Sequence, residues 1–361
     1  MTKTWRDWNI MEELGAGSYG RVYRIERTDE FGYTEESALK VLRIPQGPDE
    51  YWAIRNEGMS EEDATAYFRE IAESLNREVT LMSRLKGHSN IVSYEDREVR
   101  RLDDGYSWMI YIRMELLEPM TKWLRENPVQ ESDVLRVGMD LCQAIEFCRT
   151  HNVLHRDIKP ENIFYAPNQQ SFKLGDFGIA RKFDQTTNAT GKRGTISFMA
   201  PEVYLGRPYN ATVDIYSLGI VLYKLLNNNR TPFLPPYPER IRYNDSIEAN
   251  NRRMNGEPFP PPCNADPELA AIVLRACAFD AAERYQTASE LREALFCYKQ
   301  KLNAGGKILS VAESAEESEQ KSSKVEAPDE EGDNKTVVPE DLGEDNEQTV
   351  VLQEQPLQPL P

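Results

Sequence analysis

The sequence predicts an α+β architecture in two lobes: a small β-rich lobe with one long helix, then a larger, mainly helical lobe. Three observations predict it. The chain has 361 residues, 40% of them apolar, which suffices for one large unit or two lobes sharing a cleft. Up to about residue 112 the apolar residues fall in short, turn-separated runs, as in strands. Beyond residue 120 they recur at helical steps. In chain order, the predicted strands are Trp8 to Leu14, Arg21 to Arg27, Ser37 to Arg43, Ile91 to Arg100 and Tyr106 to Met114. One helical pattern interrupts them from Glu61 to Leu85, where Ala64, Tyr67, Phe68, Ile71, Leu75, Val79, Met82 and Leu85 stand at steps of one, three and four. Helical patterns then cover Met120 to Glu126, Val134 to Thr150, Val213 to Leu226, Pro267 to Ala278 and Ser289 to Lys299. The β-rich lobe is placed at about residues 1–114, a connector at 115–118 and the helical lobe at about 119–298.

Composition changes sharply after Tyr298, the last aromatic residue, and residues 299–361 hold 15 acidic and 6 basic side chains. Such a segment cannot bury enough apolar surface to offset its ordering entropy, so it is expected to be a disordered acidic tail. The formal net charge of −17 argues against general nucleic-acid binding, which needs a basic face. No apolar run approaches the roughly 18–20 residues that cross a bilayer. The most hydrophobic stretch, Ile215 to Leu226, is broken by Ser217, Gly219 and Lys224. Residues 1–10 show no apolar core of a secretory signal. Cys142, Cys148, Cys263, Cys277 and Cys297 are scattered and never spaced C-x-x-C, the usage of reduced cytosolic thiols, and a cytoplasmic location is expected.

The first chemical motif is Gly15-Ala16-Gly17-Ser18-Tyr19-Gly20, followed by Val22. Glycines let a loop bring its amides close to phosphate oxygens, because no Cβ intervenes. The same string serves dinucleotide sites when it joins a strand to a helix, and in other settings marks nothing beyond a tight turn. Here Val22, Tyr23 and Ile25 continue in strand-like alternation, which disfavours the dinucleotide case. Ala38-Leu39-Lys40-Val41 comes next, with Lys40 twenty residues after Gly20. A lysine ending a strand is commonly solvated at its tip. One hairpin from the glycines, it could instead sit over the phosphates beneath them.

The next pieces are His155-Arg156-Asp157-Ile158-Lys159-Pro160-Glu161-Asn162, then Asp176-Phe177-Gly178 fourteen residues after Asn162, then Gly194-Thr195 and Ala200-Pro201-Glu202. Singly, Asp157 could be a turn residue and Asn162 a cap. Together and in this order, over residues 8–298, the set resembles the eukaryotic-type Ser/Thr protein kinase family, as a bacterial-like member. The resemblance implies the two-lobed protein-kinase fold and transfer of the γ-phosphoryl of ATP to protein Ser/Thr hydroxyls, with Mg2+, for which Mn2+ is a substitute.

It also implies roles. Asp157 would accept the hydroxyl proton, and Asn162 and Asp176 would hold the metal. Lys40 would hold the α- and β-phosphates and pair with Glu78 on the long helix, with Glu70 as rival. Lys159 would neutralise the transferred phosphoryl and marks the Ser/Thr subclass. Gly15, Gly17, Ser18 and Gly20 would cover the phosphates. Met114 would back the adenine pocket, and Glu115, Leu116 and Leu117 would form the hinge. Val22, Ala38 and Phe164 would sandwich the ring. Asp214 would pin the catalytic loop, and Arg284 would pair with Glu202.

In such kinases Arg156 is drawn into place by a phosphate on the activation segment, a charge-assisted pairing. That segment also carries Thr186; Thr187 and Thr190 are the expected autophosphorylation sites, and Thr195 is expected to hydrogen-bond near Asp157 and Lys159. In the tail, Thr336-Val337-Val338 recurs thirteen residues later as Thr349-Val350-Val351 after acidic residues. Drift in a low-complexity segment would explain it. So would a pair of phosphothreonine sites, similar to tails read by forkhead-associated domains. The segment between Lys40 and Glu78 is long for the family, and is expected to lengthen the front of the helix. A scaffold without catalysis, recruiting partners through its tail, is the alternative function. Loss of Lys40, Asp157, Asn162 or Asp176 would favour it, and all four are present.

Overall fold

The structure, a computed structural model, describes residues 4–17, 20–177 and 196–304. The side chains of Glu78 and Leu81 lie outside that description, as do Ser18, Thr186, Thr187, Thr190, Thr195, Thr336 and Thr349. The chain divides into two units, Met1–Gly306 and Lys307–Pro361. All the described residues belong to the first.

The upper lobe is a six-stranded antiparallel sheet. Its strands are β1 (Thr4–Trp5), β2 (Trp8–Gly17), β3 (Gly20–Thr28), β4 (Thr34–Ile44), β5 (Tyr94–Arg101) and β6 (Trp108–Met114), in the spatial order β1-β2-β3-β4-β6-β5. On β6 the period-two pattern is complete: Trp108, Ile110, Ile112 and Met114 point into the core. The opposite face carries a small separate cluster of Trp5, Trp8, Ile25 and Leu39. The sheet curls enough for its margins to meet. Trp5 Nε1 donates to Glu98 Oε2 at 2.9 Å, and Arg6 pairs with Asp96, linking the start of the chain to β5.

Two helices lie between β4 and β5. The long segment after Lys40 forms a helix of its own, α1 (Pro48–Asn56), before α2 (Glu61–Ser83), so it does more than extend the front of α2. Gly58, at φ +100°, separates the two. Ser60 then caps α2, accepting from Asp63 N while its hydroxyl donates to the Asp63 carboxylate.

The lower lobe contains α3 (Met120–Glu126), α4 (Glu131–Thr150), α5 (Pro201–Tyr204), α6 (Thr212–Leu225), α7 (Tyr243–Met254) and α8 (Pro267–Ala276). A further helix covers residues 288–304. It runs past the boundary expected at 298, so residues 299–304 are helical where a disordered tail was expected. Lys301 pairs there with Glu268 at the start of α8. Helix α6 is buried nearly all round, which fits its almost unbroken apolar sequence. At Gly219 it comes so close to α8 that a Cβ would lie 2.7 Å from Cys277 Sγ.

Beneath the cleft is a three-stranded sheet of β7 (Glu118–Pro119), β8 (Ile163–Ala166) and β9 (Ser171–Leu174). It accounts for one departure from the predicted strands. Ile91 and Val92 do not begin β5: Ile91 bridges to Leu174, and Val92 N donates to Leu174 O at 2.9 Å. The β9 backbone thus captures the residues expected to open the upper strand.

Candidate active site

The loop around Asp157 is held from below by buried polar groups. The Asp214 carboxylate, on α6, accepts from His155 N at 2.8 Å and Arg156 N at 2.7 Å. Two consecutive amides are thereby satisfied by one buried anion, and Arg156 is held at φ +64°, a costly conformation for a non-glycine residue. His155 is fully buried. Its Nε2 bonds the Gly175 carbonyl at 2.8 Å, so that nitrogen carries the proton and Nδ1 accepts Asp157 N at 3.3 Å. Burial depresses the imidazole pKa below its ordinary value, which preserves this neutral tautomer.

Asn162 sits at the end of the short turn Pro160–Asn162. Its Nδ2 donates to Asp157 O at 2.7 Å and to Asp157 Oδ2 at 2.8 Å. Since both partners are acceptors, the amide nitrogen must face Asp157, leaving the amide oxygen as a hard donor for a cation. Lys159 Nζ lies 2.9 Å from the same Asp157 oxygen.

Above the cleft, β2 and β3 meet at Gly17 opposite Gly20, so the glycine string lies at a strand-to-strand hairpin. That geometry removes the dinucleotide reading, which needs a helix after the string. The glycines differ in purpose. A Cβ on Gly15 would meet nothing within 4 Å, whereas one on Gly20 would lie 2.1 Å from Val41 O. Gly20 therefore permits β3 to approach β4, where Val22 is opposite Lys40. Lys40 Nζ reaches across to Asp176 Oδ1 at 2.6 Å. Glu78 lies on α2, its side chain outside the described set, so the expected pairing with Lys40 gains no observation; Glu70 lies on the same helix.

The expected pocket walls lie around this point. Ala38 and Met114 are opposite each other on β4 and β6, and both are buried. Val22, Leu117 and Phe164 are partly buried against the same core. Phe164 is close enough to Gly175 that a Cβ there would be 2.9 Å from its ring. Glu115 comes directly after Met114, and its amide donates to Ser93 O at 3.1 Å.

Three contributors were not singled out from sequence for what they do here. Tyr94 OH accepts Asp176 N at 3.2 Å and so braces Asp176, which stands at φ +52°. Burial, together with the Asp176 charge, pushes the Tyr94 phenol pKa up. His155 was visible only as part of a string. Lys173 Nζ meets both Glu115 carboxylate oxygens, at 3.0 and 2.9 Å. The two expected supports elsewhere are present: Asp214 as described, and Arg284 bidentate to Glu202 at 2.7 and 2.8 Å. The Arg156 guanidinium lies over the Tyr209 ring, 5.6 Å from its centroid.

Against known proteins, residues 8–296 match the family described as "Protein kinase domain". The chain is 34% identical over 299 residues to the "Serine/threonine-protein kinase PknB" of Mycobacterium tuberculosis, covering 79% of this chain and 42% of that protein. It is 30% identical to the protein of the same name from Mycolicibacterium smegmatis, with the same coverage of 79% and 42%. To the "Serine/threonine-protein kinase Pkn1" of Myxococcus xanthus it is 31% identical, covering 80% of this chain and 38% of that protein. It thus spans less than half the length of these relatives.

Proposed function

This chain belongs to the protein kinase family, and from that premise we propose that it is a non-specific serine/threonine protein kinase, transferring the γ-phosphoryl of ATP to protein Ser/Thr hydroxyls. One observation carries the reading: Lys40 and Asp176, 136 positions apart, meet as an ion pair, and Asn162, whose carbonyl accepts Gly175 N at 2.9 Å beside Asp176, closes onto Asp157 five residues before it. Lys40 reaches Asp176 at 2.6 Å, and Asn162 reaches Asp157 at 2.8 Å.

Each of these residues has a task. Asn162 and Lys159 both address Asp157 Oδ2, so Oδ1 is the oxygen we assign to the acceptor hydroxyl and its proton. Lys159 lies where charge grows on the transferred group. Asn162 and Asp176 offer an amide and a carboxylate oxygen, which fit Mg2+ or its substitute Mn2+; the ion's contribution when bound is to neutralise phosphate charge. Lys40 and the glycine string, with Gly15, Gly17, Ser18 and Gly20, hold the phosphates, with Glu78 steadying Lys40. Val22, Ala38, Met114, Glu115, Leu117 and Phe164 hold adenine. Catalysis of this kind rests on positioning and charge stabilisation, since the protein forms no covalent bond to the phosphoryl group.

We assign the kinase domain to residues 1–298 and an acidic tail to residues 299–361, of which 299–304 are helical. Autophosphorylation at Thr187 and Thr190, and capture of a forkhead-associated partner through phosphorylated Thr336 and Thr349, belong to the same proposal. So does a cytoplasmic location. No helix among the described residues is long and apolar enough to cross a membrane.

Incubation with radiolabelled ATP and a protein acceptor tests the reading. Label is expected on acceptor Ser/Thr and is expected to fall about 10²–10⁴-fold in Asp157→Asn. Equal labelling by both proteins defeats it. Partner binding through the tail with no transfer by the intact chain would favour the scaffold instead.

A further inference from the structure

The strongest group outside the catalytic set is a buried cation with a dedicated anion. Lys173 is on β9, three residues before Asp176, and is only 4% exposed. Its Nζ lies 3.0 and 2.9 Å from the two oxygens of Glu115, the residue after Met114. Glu115 Oε1 also accepts Ser93 N at 2.6 Å, and Glu115 N donates to Ser93 O at 3.1 Å. Glu115 is therefore fixed through both its backbone and its side chain, from two directions. One is the residue leading into β5, and the other is the strand leading to Asp176.

Such an arrangement is costly to build and costly to break. A charge taken from water needs a well-shaped partner, and removing Glu115, itself partly exposed, would leave Lys173 buried and uncompensated. A pair serving packing alone could be replaced by apolar side chains of similar volume at little loss. The position of this pair gives it a further use. It ties the connector whose backbone is assigned to adenine to the strand that delivers Asp176. The same strand is stitched to the upper lobe one residue later, where Leu174 N donates to Asn90 O and Leu174 O accepts Val92 N, both at 2.9 Å.

We infer that the Lys173–Glu115 pair is a positioning device for nucleotide-base recognition, holding the 115–117 backbone in register with the Asp176 strand. Lys173 touches no reacting atom; it acts through Glu115. The inference rests on the kinase reading above and adds to it a determinant of base selectivity. A site that reads a base by hydrogen bonds discriminates strongly only while its donors and acceptors are held in place. Loosening the connector should weaken the preferred base more than a poorly fitting one.

The test is calorimetric binding of ADP and GDP to the full chain and its variants, alongside KM for ATP and for a peptide acceptor. Lys173→Met is expected to weaken ADP about tenfold while GDP changes little, narrowing the selectivity ratio. KM for ATP should rise in parallel, and KM for the acceptor should stay at the wild-type value. Lys173→Arg, which keeps a cation that can grip a carboxylate, should restore much of the ratio. A lowered melting temperature with an unchanged ADP/GDP ratio overturns the inference, as does equal weakening of both nucleotides. If Lys173→Met does not fold, Glu115→Gln must narrow the ratio, and an unchanged ratio there is equally fatal. A wild-type chain that binds neither nucleotide removes the kinase reading itself; selective wild-type binding with unaltered variants removes only the role of the pair.

Discussion

In the lower lobe Asp157 is positioned by groups shut away from water, whereas in the upper lobe Lys40 owes its place to strand register. His155 and Asp214 are 0% and 2% exposed, and between them they bond three consecutive amides, from residue 155 to 157. Lys40 lies opposite Val22 on one side and Ile112 on the other, in a sheet edged with ion pairs open to solvent. Arg24 reaches Glu12 and Glu36, and Arg27 reaches Asp7 and Glu35, on side chains a quarter or more exposed. The difference is one of tolerance. Buried polar networks fail steeply when one member is lost, and exposed pairs barely register. The proton-accepting half of the site is thus rigidly specified, and the phosphate-holding half depends on how closely strands approach.

The largest expected effect breaks a buried pair. Arg284 has a side chain 0% exposed and Glu202 one 11% exposed, so Glu202→Ala leaves a buried guanidinium without its anion, held only by the carbonyls of Ala278, Thr212 and Phe279. We expect a loss of about 3–5 kcal/mol, read by urea denaturation. A loss as small as that of a surface pair would erase the contrast between the lobes.

Next is Gly20→Ala. The added methyl collides with Val41 O, so β3 and β4 must separate beside Lys40. A cost of about 1–3 kcal/mol is expected, with a higher KM for ATP measured in steady-state assays.

The pH dependence of stability sharpens the comparison further. Because burial depresses the His155 pKa, the unfolded chain takes up that proton first as pH falls past its ordinary value of 6.5. The contribution of His155 is therefore complete above the unfolded value. It declines as pH drops below it and levels off once the folded value is passed. Urea midpoints measured between about pH 7.5 and 5.5 should fall with acidification, and His155→Gln should flatten the slope. The smallest effect belongs to the upper surface: Arg27→Ala should leave the melting temperature unresolved from wild type.

The same division governs how much could be read from sequence. The strands of the upper lobe were legible because residues such as Ile110 and Ile112 alternate with half-buried neighbours on β6. The catalytic strings were legible because chemistry fixes both residue type and spacing at Asp157, Asn162 and Asp176. Helix α7 was missed, since Tyr243–Met254 is polar and buries only Ala249, Arg253 and Met254. Helix α1 was missed for a similar reason, with Tyr51 as its only buried residue. The Lys173–Glu115 pair and the Tyr94 brace join residues 58 and 82 positions apart, and nothing local marks either end as half of a contact. Local pattern reveals what a residue's neighbours demand, and these residues answer to distant ones.

The bridge from Trp5 and Arg6 to Glu98 and Asp96 has a consequence beyond the site. The first and last strands of an open sheet carry unpaired backbone groups that can recruit a strand from another molecule. Drawing β1 and β5 together with an indole and a guanidinium masks both borders at once. Replacing Arg6 by alanine, which leaves the buried Trp5 ring in its cluster, should cost the protein little thermal stability, yet leave it more prone to associate edge to edge when concentrated.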